Sequence, residues 1–380
     1  MLNKIKVAHI ITMLELGGAQ SNTLYTVSNL DKSKFEVILV SGKGGILDKK
    51  INELAGVKTY FIDSLVRPIN PLKDFSALLS IYKILLAEKP DIVHTHSSKA
   101  GILGRLAAKI AKTKIILHTF HGFGFNDFQG ILRKTVFVLI EKLIAPISNK
   151  LIFVSEQNIL TAKKEKIGNK NQYLLIRSGI KTSIYKKKYI DSVLIKKQLS
   201  LPLDSKVITN IAPFKPQKNL VDFISMAKIV SDKYKNSVFL IIGDGIQRPL
   251  IEEKIAEFNL QERVFLPGWR TDIAEILSIT DIFAMTSLWE GLPRSAVEAF
   301  VCAKPVVSYA VDGINDVLKD GSNGYLVKPK DVNAISEKIL LLLNSPELYK
   351  MMSTNAANTI DITFDIDYMV KQQEELYNTL

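Results

Sequence analysis

The sequence predicts an α/β protein built from two doubly wound parallel sheets, each covered by helices on both faces. Three observations carry this. Short apolar runs rich in β-branched residues alternate with helix-length amphipathic segments. The alternation runs through the chain twice. A lysine-rich stretch over 176–206, with Gly179 and Leu201-Pro202, separates the two series as a crossover. Strand–helix–strand units repeated in this way close into parallel sheets. With 380 residues, 47% of them apolar, there is material for two cores at roughly 100–200 residues per domain.

The first series places strands at Val7–Ile11, Phe35–Val40, Ile92–His94, Ile115–Thr119 and Leu151–Val154. Helices are expected between them at Gln20–Leu30, Lys73–Ala87 and Lys99–Ala111. The second series has strands at Val207–Ile211, Val238–Ile242, Val264–Leu266, Ile282–Met285 and Pro305–Ser308. Its helices fall near 219–233, 248–257, 272–279, 293–302 and 331–343. The domains are expected at 1–185 and 186–360, followed by a C-terminal segment 361–380.

Composition removes several classes. The single cysteine, Cys302, excludes an internal disulfide framework and any CxxC pair. Twenty glycines, 13 prolines and 23% charged residues argue against disorder and fibrous repeats. The best candidate for a membrane span, 131–148, is broken by Lys134 and Glu141, so no spanning helix is expected. Ile5–Ile11 reads as a buried first strand rather than a signal peptide, so a cytoplasmic protein, peripheral at most to the inner membrane face, is expected. The net charge of +12 is divided unevenly: residues 1–190 hold 30 Lys/Arg against 13 Asp/Glu, and residues 191–380 hold 20 against 25. The basic half suits nucleic acid, an anionic lipid surface or a phosphorylated substrate.

In doubly wound sheets ligands bind beyond the carboxyl ends of the strands, so the loops there are the candidate sites. After the first strand, Gly17-Gly18-Ala19 leads into a helix and lets a ligand approach the backbone. It is not a GxGxxG fingerprint, which disfavours a nicotinamide cofactor. His121 follows the strand Ile115–Thr119, where it can donate to a substrate oxygen or be an ordinary loop histidine. His94 and His96 end the preceding strand, but no acidic or thiol ligand stands at metal-site spacing, so no metal is expected. In the second series, Lys215 and Lys218 open a helix, where dipole, free N–H groups and point charges favour an anion. Gly243 and Gly245 repeat the strand-to-glycine turn. In Glu290-Gly291-Leu292-Pro293, Pro293 reads as the first helical residue, which puts Glu290 in the loop and Glu298 inside the helix. Both carboxylates would repel phosphate but can accept hydrogen bonds from sugar hydroxyls.

Glu290 to Glu298 forms an E-x7-E motif, with Ser287 before it and Lys304-Pro305-Val306-Val307, Gly313, Gly321 and Gly324 after it. This pattern resembles retaining nucleotide-sugar glycosyltransferases of family 4, with the GT-B fold of two Rossmann-like domains facing a central cleft, similar to bacterial capsule and lipopolysaccharide transferases. The likeness runs from Gly17-Gly18-Ala19 through Pro216-Gln217-Lys218 to Gly324-Tyr325-Leu326-Val327. It implies an N-terminal acceptor domain, a C-terminal donor domain and a final helix packing back on the N-terminal domain. It also implies that Glu298 binds the donor ribose, Glu290 the transferred sugar and Lys218 the diphosphate. Gly17 and Gly18 would border the phosphates, and His121 would lie beside the reacting sugar. Gly243, Gly245, Gly291, Leu292 and Pro293 complete the expected donor site, and His121, Lys218 and Glu290 are the expected catalytic group. The chain departs from the family at Pro213, where an arginine is usual and Lys215 stands two positions later, and at Ser178-Gly179-Ile180-Lys181 in place of Asn-Gly-Val-Asp.

The expected reaction moves a sugar, with retention, from a nucleoside diphosphate, taken as UDP, to a glycan or polyprenyl-diphosphate-linked acceptor. The nucleotide sugar is a co-substrate, and no further cofactor is expected. The one Asp-x-Asp, Asp365-Ile366-Asp367, reads as helix capping. The segment Phe123–Ile144 interleaves apolar residues with Arg133, Lys134 and Lys142, and fits either an interfacial surface at the inner membrane face or a core helix. Two other classes remain: a nucleotide-sugar 2-epimerase of the same fold, and a basic nucleic-acid-binding protein. No RNP, helix-turn-helix or finger pattern supports the second, so no nucleic-acid partner is expected.

Overall fold

The computed structural model describes residues 4–186 and 191–380, so 187–190 of the expected crossover lie outside the described residues. The chain folds as two compact units, Met1–Gly179 together with Ile366–Leu380, and Ile180–Asp365.

The N-terminal unit runs β1 (Ile5–Met13), α1 (Gly18–Asn29), β2 (Phe35–Gly42), β3 (Val57–Ile62), α2 (Pro71–Glu88) and β4 (Ile92–His96). It continues with α3 (Ser98–Ile110), β5 (Ile115–Phe120), α4 (Ile131–Ile144), β6 (Lys150–Phe153), α5 (Glu156–Lys164) and β7 (Tyr173–Leu175). The sheet is parallel throughout, in the order β3-β2-β1-β4-β5-β6-β7. All five expected strands form. The two unforeseen ones, β3 and β7, are the edges, where half-burial admits Lys58 and Thr59 and blunts the apolar signal.

Alternation along the strands separates two cores. Val7 and Ile11 pack with Leu24 and Val27 of α1, whereas Ala8 and Ile10 pack with Ala77 and Ile81 of α2 and Ala107 of α3. The period of two therefore sets His9 on the Val7 face. Local chemistry starts the helices: the Asn70 side chain accepts from the Lys73 N–H (3.1 Å) ahead of Pro71, and Ser155 accepts from the Asn158 N–H (3.2 Å).

The second unit comprises α6 (Thr182–Tyr185), α7 (Ser192–Gln198), β8 (Lys206–Ile211), α8 (Leu220–Lys233), β9 (Ser237–Ile242), α9 (Arg248–Glu257) and β10 (Val264–Phe265). After them come α10 (Ile273–Ile279), β11 (Ile282–Met285), α11 (Arg294–Val301), β12 (Val306–Tyr309), β13 (Gly324–Val327), α12 (Val332–Asn344) and α13 (Pro346–Ala357). Its parallel sheet has the order β10-β9-β8-β11-β12-β13. The final helix, α14 (Ile366–Thr379), belongs to the N-terminal unit, where Met369, Val370 and Tyr377 enter the core beside α1.

The expected domain breaks after 185 and 360 move to 179 and 365. The reason is a short pairing of the two connections. The Ile180 N–H donates to the Phe364 carbonyl (2.9 Å), and the Asp365 carboxylate accepts from Thr182. Asp365, the residue before α14, thereby also ties the two connections together, and Asp367 accepts from the Tyr25 hydroxyl of α1.

Candidate functional site

In the C-terminal unit the expected residues gather at the carboxyl ends of β8 and β11. Lys215 and Lys218 do not sit on the first turn of α8. A single 3-10 turn, Pro216–Lys218, comes first, and Asn219 turns left-handed (φ 47°) to start the helix. That detour aims Lys218 at the neighbouring loop, where its ammonium pairs with the Glu290 carboxylate. The two side chains are 14% and 8% exposed, so the pair is largely shielded from water. The loops around it are stitched together. The Leu288 N–H donates to the Gln217 carbonyl (2.9 Å), Gln217 Nε2 donates to the Trp289 carbonyl (2.7 Å), and Thr286 Oγ1 donates to the Lys218 carbonyl (3.1 Å). The Glu290 N–H donates to Asp312 Oδ2 at 2.9 Å, a contact the sequence did not suggest.

Gly243 and Gly245 have a structural reason of their own. A Cβ on Gly243 (φ 134°) would lie 2.0 Å from the Ala212 carbonyl oxygen, and one on Gly245 (φ 157°) would lie 2.7 Å from that of Phe214. Only glycine lets the loop after β9 press against the loop that carries Lys215 and Lys218. Gly291, Leu292 and Pro293 are buried in the turn after Glu290. Pro293 is the residue before α11 rather than its first, with extended ψ (97°), and the helix begins at Arg294. Glu298 lies in the second turn. Burial raises its carboxyl pKa against the opposing pull of Arg294 and of the hydrogen bond from Tyr185. Tyr185, on α6, was not expected here; burial and the Glu298 carboxylate hold its hydroxyl in the protonated form.

In the N-terminal unit, Gly17 is extended (φ −178°), and its carbonyl accepts from the Ser21 N–H (3.0 Å) as α1 begins at Gly18. No side chain caps that helix start. His121 follows β5, and its Nε2 lies 3.2 Å from His96 Nδ1. Behind it the sheet carries a run of polar contacts. His96 Nε2 is 3.1 Å from His9 Nδ1, the Tyr377 hydroxyl is 2.6 Å from His94 Nδ1, and His94 Nε2 is 2.7 Å from Thr119 Oγ1. Burial holds His9 down at a pKa of about 3 and keeps His94, His96 and His118 well below the usual imidazole range, so all four rings are neutral near pH 7. His9, His94 and His96 bring one nitrogen each within 4.8 Å of the others, yet these nitrogens already engage one another, Tyr377 and Thr119. His118 stands apart, with Nδ1 2.9 Å from Thr95 Oγ1. His9 was legible as a lone polar residue at an inward position of an apolar strand. Tyr377 carried no comparable signal.

Residues 16–159 match the profile of Glycosyltransferase Family 4, and residues 191–359 match that of Glycosyl transferases group 1. Over 378 residues, 99% of this chain and 97% of its relative, the sequence is 32% identical to the UDP-Gal:alpha-D-GlcNAc-diphosphoundecaprenol alpha-1,3-galactosyltransferase of Escherichia coli. The chain belongs to glycosyltransferase family 4. This glycosyltransferase is also 27% identical to the capsular polysaccharide biosynthesis glycosyltransferase CapM of Staphylococcus aureus, over 92% of its own length and 91% of CapM. Among solved structures, Anabaena Alr3699/HepE in complex with UDP and glucose superimposes with a TM-score of 0.84 at 18% identity, covering 99% of this chain and all of that one. The fold is GT-B.

In the enzyme the segment Phe123–Ile144 is divided between the two expectations. Phe125 and Val138 are buried in the core, while Ile131, Leu132, Leu139 and Leu143 of α4 are exposed. Helix α2 repeats the pattern, burying Ala77, Ile81 and Leu85 and exposing Leu72, Phe75, Leu79 and Leu86. No helix among the described residues is long and apolar enough to cross a membrane.

Proposed function

We propose that the enzyme transfers a sugar, with retention at the anomeric carbon, from a UDP-sugar to a polyprenyl-diphosphate-linked acceptor in cell-surface polysaccharide synthesis. The observation that carries this is the shielded Lys218–Glu290 pair at the carboxyl ends of β8 and β11. It sets a cation suited to a diphosphate beside a carboxylate suited to a sugar hydroxyl. Donor binding exchanges the ion pair for these two contacts. Glu298 accepts from the ribose and Lys215 adds charge near the diphosphate, while the N-terminal unit offers the uncapped start of α1 at Gly17-Gly18 and His121 as its own groups for substrate. The C1–O bond to the diphosphate breaks as the acceptor oxygen bonds to C1, and the acceptor's proton passes to the leaving phosphate. No side chain serves as nucleophile, and the fixed cations meet the phosphate charge without a metal ion.

The acceptor reading is supported by the E. coli relative, whose name specifies a diphosphoundecaprenol substrate. The exposed apolar faces of α2 and α4, flanked by Lys73, Lys83, Arg133 and Lys142, suit the interface of an anionic membrane. The test is a panel of nucleotide sugars assayed with polyprenyl-diphosphate-linked sugars in the presence of a strong chelator. Transfer from a UDP-sugar that survives chelation is expected. Activity restored only by a divalent cation, or interconversion of the donor without transfer, overturns the mechanism. Leu132→Asp together with Leu139→Asp should release the protein from vesicles of anionic lipid, and unchanged binding removes α4 from the interface.

A further inference from the structure

The chain's five histidines are 9, 94, 96, 118 and 121, and four of them form one directional chain. A neutral imidazole has one N–H donor and one acceptor nitrogen. Where two ring nitrogens face each other, only one can carry the proton, so the choice at one contact dictates the choice at the next. The order of contacts is His121 Nε2 to His96 Nδ1 (3.2 Å), His96 Nε2 to His9 Nδ1 (3.1 Å), His9 Nε2 to the Tyr377 hydroxyl (3.5 Å), and that hydroxyl to His94 Nδ1 (2.6 Å). His94 Nε2 ends the chain at Thr119 Oγ1 (2.7 Å).

The short contact decides the direction. A phenol is a good donor and an imidazole nitrogen a good acceptor, so the Tyr377 hydroxyl donates to His94 Nδ1 and His94 Nε2–H donates to Thr119. The hydroxyl then offers only lone pairs to His9, whose Nε2 must carry its proton. His9 Nδ1 accepts from His96 Nε2–H, and His96 Nδ1 accepts from His121 Nε2–H. His118 lies outside the chain and takes the other form. Thr95 Oγ1 donates to the Leu117 carbonyl (3.1 Å), so it accepts from His118 Nδ1–H.

We infer that His96, His9 and Tyr377 are positioning residues that hold His121 as the Nε2–H tautomer and keep the proton off Nδ1. The last helix of the chain thereby acts on a loop that follows β5. That His121 takes part in sugar transfer rests on the proposed function.

Nitrogen-15 NMR of the histidine-labelled full chain reads the tautomers directly, without donor or activity. Four rings protonated on Nε2 and one, His118, on Nδ1 are expected. In Tyr377→Phe, His94, His9, His96 and His121 should become tautomer mixtures, while His118 stays unchanged. His96→Gln cuts the chain next to His121 and carries the test if the first variant does not fold. His121 protonated on Nδ1 in the native enzyme, or keeping one tautomer in both folded variants, overturns the inference. In transferase assays Tyr377→Phe should lower turnover about 10-fold, the scale on which partners that orient a functional histidine act, with the donor KM nearly constant. If the tautomers are as expected but no sugar is transferred, the chain stands and the functional reading fails.

Discussion

Along β1, β4 and β5 the N-terminal unit presents neutral histidines set within the sheet, whereas beyond β8 and β11 the C-terminal unit presents charges on loops. The two sheets share one plan of parallel strands, so the difference follows from the partners each group meets. A group on a central strand loses its water, and burial of an imidazolium there is costly enough to strip its proton. On the loops, Lys218 and Glu290 are also largely shielded from water, but each faces a partner of opposite sign. One unit therefore presents oriented neutral donors and acceptors, and the other a shielded ion pair.

Acidification should separate the units most strongly. The folded pKa values of His9, His94, His96 and His118 are depressed below the ordinary 6.5. The unfolded chain thus binds more protons below pH 6.5, and the stabilisation present above that pH is lost as pH falls. Each such ring costs about 1.4 kcal/mol per pH unit until its folded pKa is reached. Glu298 acts with the opposite sign, because its raised pKa favours the folded state in acid. Both tryptophans, Trp269 and Trp289, lie in the C-terminal unit, so their fluorescence follows that unit alone. Helical circular dichroism should fall between pH 6 and 4 before tryptophan emission changes, and simultaneous loss would erase the contrast.

The buried Arg105–Glu141 pair (2.8 Å) is the exception that sharpens it, since it is charge kept inside the N-terminal unit. Glu141→Leu should destabilise that unit by about 3–5 kcal/mol in urea unfolding, because it strands a fully buried guanidinium. A cost below 1 kcal/mol would mean that water reaches Arg105.

Lys218→Ala should cut single-turnover rates at saturating donor by about 10²–10³, since the diphosphate gains charge as the glycosidic bond breaks. Lys215→Ala should cost distinctly less, because Lys215 lacks the contact with Glu290 that fixes Lys218. The reverse ranking would show that the anion site is centred on Lys215. The smallest effect is expected at Glu298. Glu298→Ala should weaken UDP binding by about 1.5–3 kcal/mol, the scale of hydrogen bonds to a charged group, with less change in turnover. Unaltered affinity in calorimetric titration would remove Glu298 from the donor site.

Sequence alone determined the two series of strands, the E-x7-E motif, the lysines after β8 and the uneven charge. Each is a local pattern whose meaning depends on neighbours a few residues away. Central strands were legible because burial on both faces demands continuous apolar runs; of the edge strands β10 was expected and β3, β7 and β13 were not, the half-burial of β3 and β7 blunting their signal. Tertiary structure alone decided the pairing of Lys218 with Glu290, 72 residues apart, the support of Glu290 by Asp312, and the contact of Glu298 with Tyr185. It also joined His94 to Tyr377 across 283 residues. Such contacts leave no periodic trace, because a hydrogen bond constrains two atoms in space and places no requirement on the residues between them.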